Sequence, residues 1–249
     1  MSATERTILI TGGTRGIGRA IALSQARRGA HLFLNYLRDE SSAEKVRKEA
    51  VKKGAHVTLL CGNTGDPDEV KGLFEELGKS AAHLNFLVHN AALGVFKPVH
   101  QLRVKDWDIS LDVNARALLL LTQSALPLMK KSGGKIVAIS SLGARRFTPN
   151  YGAIGISKAA LENLVRYLAA ELSSFKIHVN AVSGGLVATD SLKMFPNFES
   201  MKKEYLSRGT VKRLGTPEDI ARVVSFLLGP DSDWISGQTL IADGGYSLV

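Results

Sequence analysis

The sequence predicts one α/β domain built on a doubly wound parallel sheet. Short apolar runs of strand length alternate with helical patterns along the whole chain, and short connections join them. No internal repeat, low-complexity tract or linker interrupts this alternation over the 249 residues. We therefore expect a single domain spanning 1–249.

The apolar runs predict the strands, and the segments between them predict the helices. Strands are expected at 7–10, 31–35, 56–60, 85–89, 135–140, 177–182 and 239–242. Helices are expected at 17–28, 41–53, 67–81, 104–131, 157–173 and 217–228. Two helix starts are well marked, because Asp66-Pro67 and Thr216-Pro217 each place a capping side chain before a first-turn proline.

Composition argues against several other classes of protein. No run approaches the eighteen or so consecutive apolar residues of a membrane span. The first residues contain no apolar signal core, and the lone Cys61 cannot form an internal disulfide, so a reducing cytoplasm is expected. The six histidines are scattered without ligand spacing, and we expect no metal site.

The chain is basic, with a formal net charge of +9 and a pI near 9.7. No nucleic-acid motif or aromatic-interleaved basic stripe accompanies the charge, so no nucleic-acid partner is expected. A solvated lysine-rich surface is the default interpretation. The more specific interpretation is that the positive charge attracts an anionic partner, such as a phosphorylated cofactor or an acidic carrier protein.

The first chemical motif is a glycine pattern that follows the first strand and opens the first helix. Glycines permit a tight turn and let a phosphate approach the backbone amides at the positive end of the helix. A plain strand–helix turn is the alternative, but this context favours a cofactor site. The motif reads Thr11-Gly12-Gly13-Thr14-Arg15-Gly16-Ile17-Gly18.

The residues after the second strand indicate the cofactor. An enzyme for the unphosphorylated dinucleotide usually places an acid at this strand tip to hold the ribose 2′-hydroxyl. Here the run is Leu34-Asn35-Tyr36-Leu37-Arg38-Asp39, without an acid at the tip. Arg15 and Arg38 could clamp a 2′-phosphate, which favours NADPH. In the alternative, both arginines are surface residues and Asp39 reaches the ribose.

The whole chain resembles the short-chain dehydrogenase/reductase family. The glycine spacing, His89-Asn90-Ala91-Ala92 after the fourth strand and the closing Asp243-Gly244-Gly245 carry the likeness. The resemblance implies a catalytic set of Ser141, Lys158, Asn114 and, by its spacing, Tyr151. It implies cofactor contacts along the strand ends from Gly12, Thr14, Arg15, Gly16, Ile17, Gly18, Tyr36, Leu37, Arg38, Gly62, Asn63, Asn90, Ala91, Lys158, Gly185, Val187 and Thr189.

Three departures from the family pattern narrow the resemblance. Ala92 replaces a glycine, Gly184 replaces a proline, and Tyr151 lies seven residues before Lys158 while Ile154 holds the position four before it. Seven residues of helix rise about 10 Å, against about 6 Å for four. With Ser140-Ser141-Leu142-Gly143 and Phe195-Pro196-Asn197, these features are similar to the bacterial enoyl-[acyl-carrier-protein] reductase III group.

That likeness implies NADPH-dependent reduction of trans-2-enoyl thioesters in fatty-acid elongation. Hydride would reach the β-carbon, and Tyr151 would hydrogen-bond the thioester oxygen where negative charge develops. Lys158 would hold the nicotinamide ribose and, if close enough, lower the pKa of Tyr151. Ser141 would orient the substrate, and Asn114 would hold its helix and a water relay near Lys158.

The likeness also implies a segment that covers the substrate, a carrier protein that delivers it, and a homo-oligomer. Residues 190–213 are expected to cover the substrate, with Met194, Phe195, Phe198, Met201 and Tyr205 lining an acyl pocket or packing on the core. A homotetramer is expected, with the helices of Asn114 and Lys158 at one interface. An acidic carrier protein would dock on the basic residues Lys193, Lys202, Lys203, Arg208, Lys212 and Arg213, with Arg145 and Arg146.

Three hypotheses for the function remain open at this point. The first is the enoyl thioester reductase. The second is a 3-oxoacyl or other carbonyl reductase of the same family, in which Tyr151 serves a ketone despite its interval from Lys158. The third is an NADPH-binding module without turnover, which requires Tyr151 to point away from the cleft.

Overall fold

The structure, a computed structural model, describes residues 6–195 and 198–248. Its one sheet has seven parallel strands in the order β3-β2-β1-β4-β5-β6-β7, which confirms the predicted doubly wound fold. The order reverses between β1 and β4, so a crevice is expected at the carboxyl ends of these strands. The strands are β1 Arg6–Ile10, β2 Ala30–Tyr36, β3 His56–Cys61, β4 Phe86–His89, β5 Gly134–Ser141, β6 Ile177–Gly184 and β7 Thr239–Ala242.

Helices cover both faces of the sheet, because successive residues of each strand point to opposite sides. Ile8, Ile10 and Leu32 pack under α1 and α8, whereas Leu9 and Phe33 pack under α3, α5 and α6. The helices are α1 Gly16–Gln25, α2 Glu40–Lys52, α3 Pro67–Gly78, α4 Val104–Leu111, α5 Ala117–Met129, α6 Gly152–Glu171, α7 Phe198–Arg208 and α8 Pro217–Leu227.

Both predicted helix caps are confirmed. The Asp66 carboxylate accepts hydrogen bonds from the backbone N–H groups of Asp68 and Glu69, at 2.9 and 3.2 Å. The Thr216 hydroxyl accepts from the Asp219 N–H at 3.3 Å, and the Asp219 carboxylate accepts from the Thr216 N–H at 2.8 Å. Each cap satisfies donors that the first turn of a helix leaves without a partner.

The predicted α-helix over 104–131 is wrong in its middle. The segment Asp112–Arg116 is π-helical and joins α4 to α5, so the chain carries a local insertion at the turn that holds Asn114. Such π-helical turns are frequent at functional sites. Hydrophobic periodicity did not reveal it, because one widened turn barely shifts the apolar pattern.

The predicted start of the helix over 157–173 is also wrong, since α6 begins at Gly152. A tight turn precedes it: the Tyr151 N–H donates to the Thr148 carbonyl at 3.1 Å, with Asn150 at φ 61°. Proline second and asparagine third are typical of a type II turn. Burial of the first helical turn outweighs the poor helix propensity of its glycines.

The expected cover consists of a 3₁₀ turn, Asp190–Met194, and helix α7. The side chains of Lys193 and Met194, and the motif residues Pro196 and Asn197, lie outside the described residues. Across the described ranges, no helix combines the length and apolar content that a membrane crossing requires.

Candidate functional site

The loop between β1 and α1 is built for close approach of a ligand. Gly12 and Gly16 have φ angles of 60° and 51°, which favour glycine. A Cβ on Gly18 would lie 2.1 Å from the Gly12 carbonyl oxygen, so this position requires glycine as well. Arg15 precedes α1 and makes no side-chain cap, which leaves the amides of the helix start for a phosphate.

The two other predicted contacts of this loop are less accessible. Thr14 is buried, and Ile17 packs its side chain against the core cluster beneath α1. A cavity of about 450 Å³ opens beside Gly16 and Thr189.

The end of β2 distinguishes the two cofactor hypotheses. Arg15 and Arg38 are exposed, and neither guanidinium has a hydrogen-bond or ion-pair partner among the described residues. Asp39 is occupied: its carboxylate accepts from the Ser42 hydroxyl, the Ser42 N–H and the Ser41 hydroxyl, as the cap of α2. These bonds, chiefly those from Ser42, lower the pKa of Asp39 to about 2. The geometry therefore favours the arginine clamp over a ribose contact from Asp39.

Asn35, near the end of β2, links the neighbouring loops, and the sequence did not single it out. Its buried amide nitrogen donates to the carbonyl oxygens of Gly62 at 2.9 Å and Leu60 at 3.2 Å. Its amide oxygen accepts from the Gly12 N–H at 3.4 Å. The side chain thus ties the loop after β3 to the glycine loop.

The other predicted contacts at this edge of the sheet lie on the same strand ends. Tyr36 ends β2 and Leu37 follows it in an exposed position. The Asn63 side chain accepts from the Gly65 N–H at 3.0 Å, so it shapes its own turn.

Asn90 and Ala91 follow β4 and lie directly beside the glycine loop. The Asn90 amide nitrogen donates to the Thr11 and Gly12 carbonyls, each at 3.0 Å. The backbone N–H groups of both Asn90 and Ala91 donate to the Thr11 hydroxyl, also at 3.0 Å. A Cβ on Gly12 would lie 3.1 Å from the Ala91 Cα, so the two segments pack tightly.

The loop after β6 closes the other side of the cleft. A Cβ on Gly185 would lie 2.8 Å from the Asp243 Cα, so glycine is required where the C-terminal segment crosses. Val187 pairs with Gly215 in an isolated bridge. The Thr189 methyl group would lie 3.4 Å from a Cβ on Gly16, which places Thr189 over the start of α1.

Tyr151 and Ser141 meet in the structure. Burial raises the pKa of the Tyr151 phenol, and an interaction with the Ser141 side chain acts in the opposite direction, so the two side chains lie near each other. The Tyr151 ring lies against Gly143, where a Cβ would be 2.4 Å from ring carbon Cδ1. A Cβ on Gly155 would in turn lie 2.5 Å from the Gly143 carbonyl oxygen. Two glycines thus make the room that brings the phenol to Ser141.

Ile154, four residues before Lys158, is buried away from Ser141. It is 8% exposed, and its Cγ1 would lie 2.3 Å from a Cβ on Gly94. Its side chain therefore packs on the segment that follows β4.

Lys158 lies in α6 with its side chain buried against the end of β5. Its ammonium donates to the Ile139 carbonyl oxygen at 2.7 Å. Burial lowers the pKa of Lys158 to about 8.

Asn114 is fully buried, and its side chain makes three hydrogen bonds. The amide nitrogen donates to the Leu93 carbonyl and to the Ser157 hydroxyl, each at 2.8 Å, and the amide oxygen accepts from the Leu93 N–H at 2.9 Å. These bonds join the π-helical turn to α6, next to Lys158. Asn114 therefore positions its neighbours through its side chain.

Aromatic rings surround the Tyr151 phenol. Phe195 stacks on Tyr151 at 5.6 Å between ring centroids, and Phe96 contacts Phe195 at 4.4 Å. The segment that carries Phe96 is fastened by buried Asp106, whose carboxylate accepts from Lys97 at 3.2 Å and from Arg103 at 2.7 Å. These rings form an apolar wall beside the hydroxyl pair.

Tyr205, a candidate for the acyl pocket, is an anchor of α7 instead. Its hydroxyl donates to the Asp243 carbonyl, and its ring stacks on Tyr246 at 4.7 Å. Only 4% of Tyr205 is exposed. Tyr205 therefore packs on the core and does not line an acyl pocket.

Glu162 is a buried acid near the site that sequence reasoning missed. Its carboxylate accepts from the Ser140 hydroxyl and from the Arg145 guanidinium, each at 2.7 Å. These bonds fix both flanks of the Ser141–Gly143 turn. The sequence did contain one indication: Glu162 follows Lys158 by four residues, so both lie on the same face of α6.

Comparison with known proteins agrees with this geometry. Residues 12–247 match a family model described as Enoyl-(Acyl carrier protein) reductase. The 1-cyclohexenylcarbonyl-CoA reductase of Streptomyces collinus is 40% identical over 97% of this chain and 86% of its own length. The versicolorin reductase stcU of Emericella nidulans is 32% identical over 96% of this chain and 95% of its own.

Solved structures give the same family. The angucycline C-6 ketoreductase LanV with bound NADP matches with a TM-score of 0.90 and 31% identity, over 99% of this chain and 97% of that one. A short-chain dehydrogenase from Burkholderia cenocepacia in complex with NADP matches with a TM-score of 0.90 and 30% identity, over 99% of this chain and 100% of that one. The chain belongs to the short-chain dehydrogenase/reductase family, and it is a reductase of that family.

Proposed function

We propose that this protein uses NADPH to reduce the double bond of trans-2-enoyl thioesters carried by acyl carrier protein or coenzyme A. One observation carries the proposal: the Tyr151 ring lies against Gly143 with its phenol near Ser141, while the side chain of Ile154 is buried against Gly94. The available phenol therefore sits one helical turn further from Lys158 than the family's usual arrangement.

NADPH fits the residues at the strand ends. The uncapped start of α1 and the glycines Gly12, Gly16 and Gly18 would hold the pyrophosphate. Arg15 and Arg38 would hold the 2′-phosphate, since Asp39 caps α2. The two NADP-bound structural relatives support this choice. Lys158, Asn90, Ala91 and the Gly185–Thr189 loop would flank the ribose and nicotinamide.

The side chains around Ser141 supply placement and charge stabilisation. Bound NADPH supplies the hydride that adds to the β-carbon, and the α-carbon of the resulting enolate takes its proton from solvent. Tyr151 would donate a hydrogen bond to the thioester oxygen, where negative charge accumulates, and Ser141 would orient that oxygen. The buried Lys158 ammonium would favour this charge, and Phe96 and Phe195 would exclude water from it. Residues 190–213 would form the cover that places Phe195.

The relatives support both this proposal and its main alternative. A 1-cyclohexenylcarbonyl-CoA reductase is named for a thioester whose ring double bond is conjugated to the carbonyl, which favours the enoyl chemistry. A ketoreductase and a versicolorin reductase favour reduction of a carbonyl group. A binding module without turnover is disfavoured by the contact between Tyr151 and Ser141.

A paired assay tests the proposal. NADPH oxidation is measured with crotonyl and acetoacetyl thioesters in parallel, on both coenzyme A and acyl carrier protein. We expect turnover of the crotonyl compound. Turnover of the acetoacetyl compound alone would establish the carbonyl reductase, and turnover of neither thioester would favour the binding module.

The pKa of Lys158 gives an expected pH dependence. Because its pKa is lowered to about 8, the ammonium loses its proton within the accessible alkaline range. The profile of kcat/KM reports groups of the free enzyme. We therefore expect kcat/KM for NADPH to be level below pH 8 and to fall above it. A Lys158→Met variant should lack that alkaline limb, and a level wild-type profile to pH 10 would refute the assignment.

An acidic carrier protein is the proposed donor of the substrate, but the structure narrows its docking surface. Arg145 pairs with Glu162 and Arg213 pairs with Asp219, at 2.7 and 2.6 Å. Arg146 and Arg208 lie over the Tyr246 ring. Lys212 donates to the Ser207 carbonyl oxygen at 2.7 Å. Lys202, which lies over the Phe198 ring, and Lys203 are the proposed docking residues, because both are on α7 and neither has an ion pair among the described residues.

Charge reversal tests the carrier hypothesis. In a Lys202→Glu/Lys203→Glu variant, we expect KM for the carrier-bound enoyl substrate to rise about tenfold while KM for the coenzyme A substrate stays constant, because exposed charges steer encounter. Lys52→Glu/Lys53→Glu, at the far end of α2, is the matched control. An unchanged KM with carrier-bound substrate would remove the carrier from the proposal.

The homotetramer and the cytoplasmic location stay predictions. Exposed apolar side chains on α5 and α6, Leu119, Ile156 and Tyr167, lie on the helices expected at one interface. Sedimentation analysis of the purified protein would measure the assembly.

A further inference from the structure

His89 is a buried titratable residue for which the proposed chemistry has no use. It ends β4 and is 0% exposed. Its Nδ1 lies 3.3 Å from the Thr11 hydroxyl, and its Nε2 lies 3.1 Å from the Asn114 carbonyl oxygen. The ring therefore bridges the glycine loop and the π-helical turn, which are far apart in the chain.

The hydrogen bonds around His89 allow one tautomer. A carbonyl oxygen only accepts, so Nε2 must carry the proton that is donated to Asn114. Nδ1 is then an acceptor, and the Thr11 hydroxyl must donate to it. This is consistent with the other Thr11 contacts, because its oxygen accepts from two backbone N–H groups, those of Asn90 and Ala91.

The surroundings of His89 also oppose a second proton. Burial, and then the nearby ammonium of Lys158, lower its pKa to about 3, while the Asn114 hydrogen bond acts in the opposite direction. A protonated ring would turn Nδ1 into a donor facing a hydroxyl that already donates toward it. The ring is a fixed neutral bridge.

Each end of the bridge continues into a different part of the site. On one side, Thr11 fixes the backbone of Asn90 and Ala91, beside Gly12. On the other, Asn114 fixes Ser157, the neighbour of Lys158 in α6. We infer that His89 is a positioning residue that couples the cofactor loop to the segment holding Lys158, so that cofactor binding and turnover depend on the same ring.

The inference predicts that removing both hydrogen bonds weakens NADPH binding. In His89→Phe, the ring shape is retained, but Thr11 and the Asn114 carbonyl lose their buried partner. We expect the NADPH Kd, measured by nucleotide fluorescence without substrate, to rise about tenfold, and kcat to fall about tenfold. KM for the thioester should not change.

His31→Phe is the matched control. His31 is also buried on a strand and also bonds a threonine, Thr58, at 2.9 Å, but it lies near the amino end of β2, whereas His89 lies at the carboxyl end of β4. Both variants should melt at a lower temperature than the wild type, and His31→Phe should keep the wild-type Kd. An unchanged Kd in His89→Phe, or an equal rise in both variants, would overturn the inference.

Two further measurements keep the inference testable if His89→Phe does not fold. His89→Asn cannot reach both partners and should show a smaller rise in the NADPH Kd; a wild-type value would count against the bridge. Nitrogen-15 NMR of the wild-type imidazole should show protonated Nε2 and bare Nδ1, and the opposite tautomer would overturn the bridge. The inference rests on the proposed function, in which NADPH is the cofactor. If the wild type did not bind NADPH, the proposed cofactor would be refuted, which is a different result from an unchanged Kd in His89→Phe.

Discussion

Tyr151→Phe is expected to lower kcat for enoyl thioester reduction by about 100- to 1,000-fold, the usual effect of removing one hydrogen-bond donor from a developing oxyanion. The phenylalanine ring retains the contacts with Gly143 and Phe195, so the pocket keeps its shape. The NADPH Kd should stay at the wild-type value, because Tyr151 is not part of the glycine loop. Stopped-flow kinetics and nucleotide fluorescence measure the two quantities separately.

Tyr167→Phe is the control for this variant. Tyr167 lies on the same helix as Lys158 and is 62% exposed, so loss of its hydroxyl should leave kcat unchanged. Wild-type turnover by Tyr151→Phe would refute the role of the Tyr151 phenol. Equal losses in both variants would point to damage to α6 rather than to lost chemistry.

Gly143→Ala is expected to lower kcat about 100-fold without altering a single functional group. The new methyl group would lie 2.4 Å from Cδ1 and 2.5 Å from Cε1 of the Tyr151 ring, closer than any side chain tolerates. The ring must move, and a displacement of about 1 Å at a catalytic group costs on the order of a hundredfold in rate. NADPH binding should persist, since Gly143 is remote from the phosphate loop.

Gly72→Ala is the matched substitution. Gly72 lies in α3, and a Cβ there meets nothing within 4 Å. We expect wild-type kcat and a gain of up to about 1 kcal/mol in the free energy of unfolding, from better helix propensity. A wild-type kcat in Gly143→Ala would show that the tight contact around Tyr151 does not control turnover.

The sequence was sufficient for the fold because its local signals agree with one another. The strands of the central sheet lie within one or two residues of their predicted ends, and Asp66 and Thr216 cap the helices that they were expected to cap. Burial on both faces makes each strand a short apolar run, which is easy to recognise.

The errors lie where tertiary contacts override local preference. Gly152 and Gly155 are poor helix formers, yet α6 starts at Gly152 because Ala153 and Ile154 are buried there. The π-helical turn at Asn114 depends on contacts with Leu93 and Ser157, which no local pattern encodes.

The hydrogen-bond and ion-pair partners of the site's side chains were the hardest feature to predict from the sequence. His89 looked like an ordinary strand residue, because its partners Thr11 and Asn114 are 78 and 25 positions away. Arg145 looked available for a carrier, but its partner Glu162 follows 17 residues later. A residue type gives its bonding capacity, whereas the partner depends on the completed fold.

The position of the transferred hydride tests the central claim most directly. With NADPH deuterated at the transferable position and crotonyl thioester as substrate, the product is analysed by NMR and mass spectrometry. The account predicts a saturated butyryl thioester with one deuterium on the β-carbon. An intact double bond after incubation, together with deuterium on the alcohol carbon of a 3-hydroxy product from acetoacetyl thioester, would contradict it.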